Sequence, residues 1–428
     1  MLTRRTLIAA TAGTAATAAA GALAACEPDA EPPSAAPAAP ALDPTDWQSV
    51  RGQFALDRDV AHLAAFVFAT HPAPVREAIE RHRRGFETDP IRYLHTNASR
   101  AEEEVSAAAA KYLEARPNEI AFTDSTTMGL GLLYAGLRLG PGDEVLTTTH
   151  DFYSTHESLR LRTVRDGTRV RRVPLYAEAA RAGVDGIVAA VLGGLTPRTR
   201  VLALTWVHSS TGVRLPVRQI AAAVRERAGD RVLICVDAVH GLAAADATPA
   251  ALGADFFVAG THKWLFGPRG TGLIWGTEAA WARFTPIIPT FGALYPGASA
   301  AGGVTGTPGG YHTFEHRWAL AEAFTFQSTV GRPRVAQRLT QLATALKEGL
   351  AGISGVTVHT PLPPELSAGI VCCDVAGVPA PEAVHRLWEA RVVASVTPYE
   401  TQLLRFGASI VNDEADVERA VAAVRTLS

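Results

Sequence analysis

The sequence predicts an α/β protein: a large, mostly parallel sheet covered by helices, followed by a smaller C-terminal α+β domain. Three observations predict it. Short apolar runs recur through the middle of the chain without the alternation that marks a half-exposed strand. Helical stretches such as Val217–Arg227 lie between them. Candidate functional residues gather where the runs end: Phe152, Ser209, Asp237 and Lys263. In parallel sheets that edge is where ligands bind.

The N-terminus reads as an address. Thr3-Arg4-Arg5-Thr6-Leu7-Ile8 is a twin-arginine pair ahead of a weakly apolar, alanine-rich run that ends in Leu23-Ala24-Ala25-Cys26. Residues 1–25 resemble a Tat signal, whose pathway carries folded proteins, and the ending resembles a lipobox with Cys26 as the lipidated residue. An ordinary cleaved signal with a chance cysteine is the alternative. Residues 26–46, rich in Pro and Ala, read as a tether. The expected product is an extracytoplasmic lipoprotein.

Four runs predict buried strands. Asp143–Thr149 follows a Gly-Pro-Gly turn, Arg200–Val207 leads into His208-Ser209-Ser210, Arg231–Val236 closes on Asp237, and Ala254–Ala259 closes on Gly260-Thr261-His262-Lys263. From about Tyr311 helices dominate, and short strands return near Gly369–Val375 and Leu403–Phe406. These boundaries give a large domain over 70–305 and a small one built from 47–69 plus 306–428.

Composition narrows the function. Over 428 residues, 40 basic against 42 acidic side chains leave a net charge of -2, which argues against a nucleic-acid-binding surface. Four irregularly spaced cysteines make neither a disulfide framework nor a zinc ribbon. Only three lysines occur, Lys111, Lys263 and Lys347, so amine chemistry has three candidates. Lys111 and Lys347 lie on helical stretches and read as solvated. Lys263, at the end of an apolar strand with no acidic neighbour, would be costly as a buried cation. A Schiff base with pyridoxal phosphate removes that charge, and Asp237 on the adjacent strand supplies the carboxylate that keeps the pyridine nitrogen protonated. Read otherwise, Lys263 is a surface lysine at a loop start and Asp237 a strand-end cap. The two residues alone leave both open. Gly129-x-Gly131 lacks the third glycine and the downstream acid of a dinucleotide site.

The surrounding motifs add a resemblance. Val236-Asp237-Ala238-Val239-His240-Gly241 and Gly260-Thr261-His262-Lys263-Trp264-Leu265-Phe266-Gly267-Pro268-Arg269-Gly270-Thr271-Gly272, with Phe122-Thr123-Asp124-Ser125-Thr126-Thr127-Met128-Gly129 upstream, resemble the class V aminotransferase family. The family consists of fold-type I pyridoxal-phosphate enzymes, and the nearest likeness is to its isopenicillin N epimerase-like branch. The resemblance spans about His62 to Ile410. It implies that Thr126, Thr127 and His262 hold the phosphate, Phe152 stacks on the ring, and Ser209 and His240 lie beside it. It further implies that Lys263 carries the cofactor, Asp237 faces the ring nitrogen and Arg405 grips a substrate carboxylate. Thr307, in Gly306-Thr307-Pro308, would reach the phosphate of a neighbouring subunit, so a homodimer with shared sites is implied.

Desulfurases of this family place a nucleophilic cysteine shortly before the arginine. Arg391–Pro398 contains none, and Cys372 and Cys373 sit in an apolar run as expected of inert core thiols. The expected activity is therefore at the α-carbon of an amino acid or an amino-acid-containing metabolite, by aminotransfer or epimerisation and not as a cysteine desulfurase. C–S or β-lyase chemistry is an alternative, and a cofactor fold used only for binding is another.

Overall fold

A computed structural model describes residues 40–293 and 302–427. The twin-arginine segment, Cys26 and most of the expected tether lie outside the described residues. Packed chain begins before Trp47: Gln53 Nε2 donates to the carbonyl of Pro40 at 2.8 Å. Asp46 then caps the helix Trp47–Gly52 by accepting from the amides of Gln48 and Ser49.

The α/β class is as expected. Seven strands form the main sheet: β1 Ile120–Thr123, β2 Glu144–Thr148, β3 Arg169–Val173, β4 Thr199–Thr205, β5 Leu233–Asp237, β6 Phe256–Gly260 and β7 Gly272–Gly276. Their order is β1-β7-β6-β5-β4-β2-β3, and only β7 runs antiparallel to its neighbours. Strands β5, β6 and β7 are buried along their whole length, as uninterrupted apolar runs require. The edge strand β3 departs from that pattern. Its arginines Arg169, Arg171 and Arg172 are exposed, which blunts an edge open to further pairing.

Register sets the site. Thr205 at the end of β4 pairs with Asp237 at the end of β5, which pairs with Val258 on β6. Lys263 follows β6 by three residues, so all three reach the same edge of the sheet.

A second, antiparallel sheet has strands β8 Val356–Val358, β9 Ile370–Val375, β10 Ser395–Val396 and β11 Leu404–Gly407 in the order β10-β11-β9-β8. Its core includes Leu342, Leu346, Val371, Phe406 and Val424. The segment Ala61–His62 pairs in parallel with Val392–Val393, and the Leu63 carbonyl accepts from Gly407 N at 2.7 Å. Gly407 is needed there, because a Cβ would fall 2.1 Å from the Phe66 ring. That close approach carries Phe66 to the side of Arg405.

Lys347 corrects the expectation of a solvated side chain. It is 1% exposed, and its Nζ donates to the carbonyls of Pro361 and Leu362 and to Ser367 Oγ at 3.0, 2.8 and 2.8 Å. Three acceptors satisfy the three donors of an ammonium group. This lysine pins the 361–367 loop to the helix Arg332–Ala351.

Candidate active site

Six of the ten expected residues line one cavity of about 200 Å3: Phe152, Ser209, Asp237, His240, Lys263 and Arg405. Asp237 is 1% exposed, and its Oδ1 accepts from Val239 N at 3.1 Å. Burial raises its carboxyl to about 7, with the Val239 amide and then Lys263 pulling the other way. Enclosure lowers Lys263 to about 8, against the attraction of Asp237.

His240 acts on that lysine. Trp264 Nε1 donates to His240 Nδ1 at 3.3 Å, which assigns the proton of the neutral ring to Nε2. That N–H faces Lys263 Nζ at 3.4 Å and needs a lone pair to accept it. Burial, then the positive charges of Lys263 and Arg405, hold the ring well below its ordinary pKa. The pair therefore favours a neutral amine.

Arg405 is 6% exposed. Its Nη1 donates to the Ser209 carbonyl at 3.0 Å and its Nε to Ser395 Oγ at 3.1 Å, and the guanidinium carbon lies 4.7 Å from the Phe66 ring centroid. Among the described residues no carboxylate forms an ion pair with it. A buried cation that has only neutral partners is a site for an anion.

Thr126 and Thr127 open the helix Thr126–Gly136, and Gly260 brings Thr126 next to His262. Ser125 Oγ caps the helix by accepting from Met128 N. Thr126 Oγ1 accepts from Gly260 N at 2.6 Å, and Thr127 Oγ1 bonds Ser154 Oγ at 2.8 Å. A Cβ on Gly260 would sit 3.0 Å from Thr126 Oγ1 and 3.1 Å from His262 Cε1, so glycine keeps this recess open. His262 Nδ1 is buried without a partner. A recess at a helix N-terminus beside the unpartnered Nδ1 of His262 fits a phosphate group. Thr307 does not line the Lys263 cavity. Its hydroxyl accepts from Phe122 N at 3.1 Å, beside a separate cavity.

Four contributors escaped the sequence reading. Tyr399 OH bonds Ser209 Oγ at 2.7 Å, and its ring stands edge-on to Phe152 with centroids 5.9 Å apart. Thr205 lines the cavity with its hydroxyl buried and unpartnered. Phe66 arrives from the N-terminal segment. Asp151, 2% exposed, accepts from Thr147 Oγ1, Thr148 N and Thr205 N, each at 2.7 Å, and so fixes the turn that presents Phe152. Its position next to Phe152 in His150-Asp151-Phe152 was the one available signal.

Asp237 and Lys263 give the cofactor-free protein a pH signature. Asp237 titrates higher folded than unfolded, so stability falls as pH rises from about 4 to about 7. Lys263 titrates lower folded than unfolded, so stability recovers from about pH 8 towards 10.5. Thermal melts of the stripped protein are expected to show this pair's smallest contribution near pH 7–8. Asp237→Asn should flatten the acid limb and Lys263→Met the alkaline limb. A wild-type pH profile superimposing on both variants would contradict the assignment.

Residues 68–419 match the aminotransferase class-V family, and the chain belongs to it. It is 27% identical over 413 residues to isopenicillin N epimerase from Amycolatopsis lactamdurans, covering 90% of this chain and 99% of that one. A probable cysteine desulfurase from Xylella fastidiosa (strain Temecula1) is 26% identical, over 76% of this chain and 80% of its own. Among solved structures, a C-DES mutant with glycine covalently linked to the PLP cofactor superposes with a TM-score of 0.81 at 22% identity, covering 88% and 98% of the two chains. With the family established and the phosphate recess, lysine and carboxylate in place, the cofactor is pyridoxal 5′-phosphate.

Proposed function

We propose that the protein acts at the α-carbon of an amino acid or an amino-acid-containing metabolite, by aminotransfer or epimerisation. The observation that carries this reading is Arg405, a buried guanidinium without a carboxylate partner among the described residues, in one cavity with Lys263 and Asp237. Thr126, Thr127 and His262 would hold the cofactor phosphate, and Phe152 would cover the ring. Asp237 would face the ring nitrogen, with Ser209 and His240 beside the ring. Bound there, the cofactor supplies a sink for the charge that develops at the substrate Cα. Arg405 orients the substrate through its α-carboxylate. Lys263 Nζ, whose pKa burial lowers to about 8, takes the α-proton and returns it. Phe66 and Tyr399 narrow the access of water.

A panel of amino acids with a keto-acid acceptor in deuterated water tests the reaction class. New keto acid marks aminotransfer, and deuterium at Cα in both enantiomers marks epimerisation. Pyruvate with ammonia or sulfide marks the lyase alternative. A yellow protein that exchanges no α-proton would favour a binding role and overturn the reading.

Persulfide chemistry is not part of this proposal. Cys372 and Cys373 are fully buried, burial pushes the Cys372 thiol up to about 12, and it raises Cys373 as well. The double change Cys372→Ala/Cys373→Ala should leave turnover within a few-fold of wild type. Sulfane sulfur on either residue during turnover would contradict this.

The same reading includes a homodimer. Phe291 and Tyr311, 46% and 81% exposed, flank the segment bearing Thr307, and a second copy of the chain would cover them. Export by the Tat route and anchoring through Cys26 also belong to the proposal. Cys26→Ser should release active protein from membranes, and wild-type protein already soluble in a clean fractionation would remove the anchor.

A further inference from the structure

The chain makes a strained turn directly after Lys263. Phe266 N donates to the Lys263 carbonyl at 3.0 Å, and Gly267 N to the Thr261 carbonyl at 2.8 Å. Phe266 sits in the left-handed region at φ 58°, a conformation that a bulky side chain rarely adopts. Its buried ring packs 4.9 Å from the Phe54 ring, and that packing holds the turn in place.

What the turn aims is Trp264, which is 2% exposed and held from three directions. Gln327 Nε2 donates to its carbonyl at 3.1 Å, and Phe66 stacks on the indole with centroids 6.0 Å apart. Gly369 makes way for the far edge of the ring, since a Cβ there would fall 2.5 Å from Cη2. So held, the indole N–H meets His240 Nδ1 at 3.3 Å.

An indole nitrogen only donates, so Trp264 selects one of the two tautomers of neutral His240. In that tautomer Nε2–H faces Lys263 Nζ at 3.4 Å. An ammonium group has three donors and no lone pair, and only the neutral amine can accept this N–H. With Trp264 silent, the imidazole proton could move to Nδ1 and Nε2 would then accept from an ammonium. Other charges act here too. Asp237 favours the ammonium form, Arg405 opposes it, and His262, one residue before the lysine, bears on His240. All three are the same in either tautomer, so the choice rests with Trp264.

We propose that Trp264 is a positioning residue whose N–H fixes the tautomer of His240 and thereby shifts Lys263 towards the neutral amine that the cofactor aldehyde requires. This rests on the role given to Lys263 in the function proposed above.

Lys263 carries a free amine only in cofactor-stripped protein, so the test begins there. Trace acetylation at a series of pH values, read by mass spectrometry on the Lys263 peptide with exposed Lys111 as reference, reports the ionisation of this amine. Trp264→Phe removes the N–H and keeps an aromatic ring. The variant is expected to react at Lys263 about tenfold more slowly than wild type near pH 7, and equally fast near pH 10. Uptake of pyridoxal phosphate, followed by its yellow colour, should show the same deficit, because the aldehyde condenses with the neutral amine and releases water. An unchanged profile, or a deficit of equal size at every pH, would overturn the proposal. Nitrogen NMR of wild-type protein gives a check that needs no variant to fold. His240, recognised by its contact with the Trp264 N–H, is expected as the neutral Nε2–H tautomer near pH 7, and an Nδ1–H tautomer or a charged ring would overturn the proposal. Wild-type protein that never turns yellow would instead bring down the cofactor reading, while acetylation and NMR still decide the role of Trp264.

Discussion

Lys263→Ala is expected to yield a folded protein without the yellow colour of the lysine-bound cofactor and with no measurable turnover. Each of the other two lysines is committed elsewhere. Lys111 is exposed on the helix Pro90–Leu113, and Lys347 spends all three donors on Pro361, Leu362 and Ser367. Lys263 alone presents its amine to the cavity that holds Asp237 and Arg405. Losing a group that both carries the cofactor and moves the α-proton should lower the rate by about three powers of ten or more. Absorbance and circular dichroism on one sample separate this from unfolding. A yellow, active Lys263→Ala protein would mean that another amine does the chemistry.

Arg405→Ala is expected to lower kcat/KM by about two to three powers of ten, the loss of a charge-assisted pair worth roughly 3–4 kcal/mol in the transition state. Cofactor colour should persist, because Arg405 contacts Ser209, Ser395 and Phe66 and not the phosphate recess. Arg405→Lys should recover only part of the loss, since a single ammonium cannot reproduce the planar fork. A change confined within threefold for every carboxylate-bearing substrate would remove Arg405 from substrate binding.

Four strands of the sheet were legible as continuous apolar runs, whereas β7, equally buried but bounded by Gly272 and Gly276, was not among them. Arg231–Val236 and Ala254–Ala259 lie within one or two residues of β5 and β6, because continuous apolar runs have few other solutions. Strand β3 was not seen, since Arg169, Arg171 and Arg172 on an exposed edge carry no apolar signal. Lys347 was misread although a pattern was present. Leu339 and Ala343 stand eight and four residues before it on the buried stripe of the helix, so Lys347 continues the inward face.

Within the site, residues at strand ends were legible because the chain itself marks them: Asp237 stops a run of Leu, Ile, Cys and Val, and Lys263 follows the glycine that ends β6. Tyr399 and Phe66 were not. Each reaches the cavity from a distant segment, and only the pairing of β11 with Leu63 and the hydroxyl bond to Ser209 place them. Local spacing cannot encode such approaches.

The most direct test is to reduce the holoenzyme with borohydride, digest it, and locate the cofactor mass by mass spectrometry. With only three lysines in the chain, the assignment is unambiguous. The account predicts the adduct on the peptide containing Lys263 and on no other. An adduct on Lys111 or Lys347, or none on a yellow protein, would contradict it.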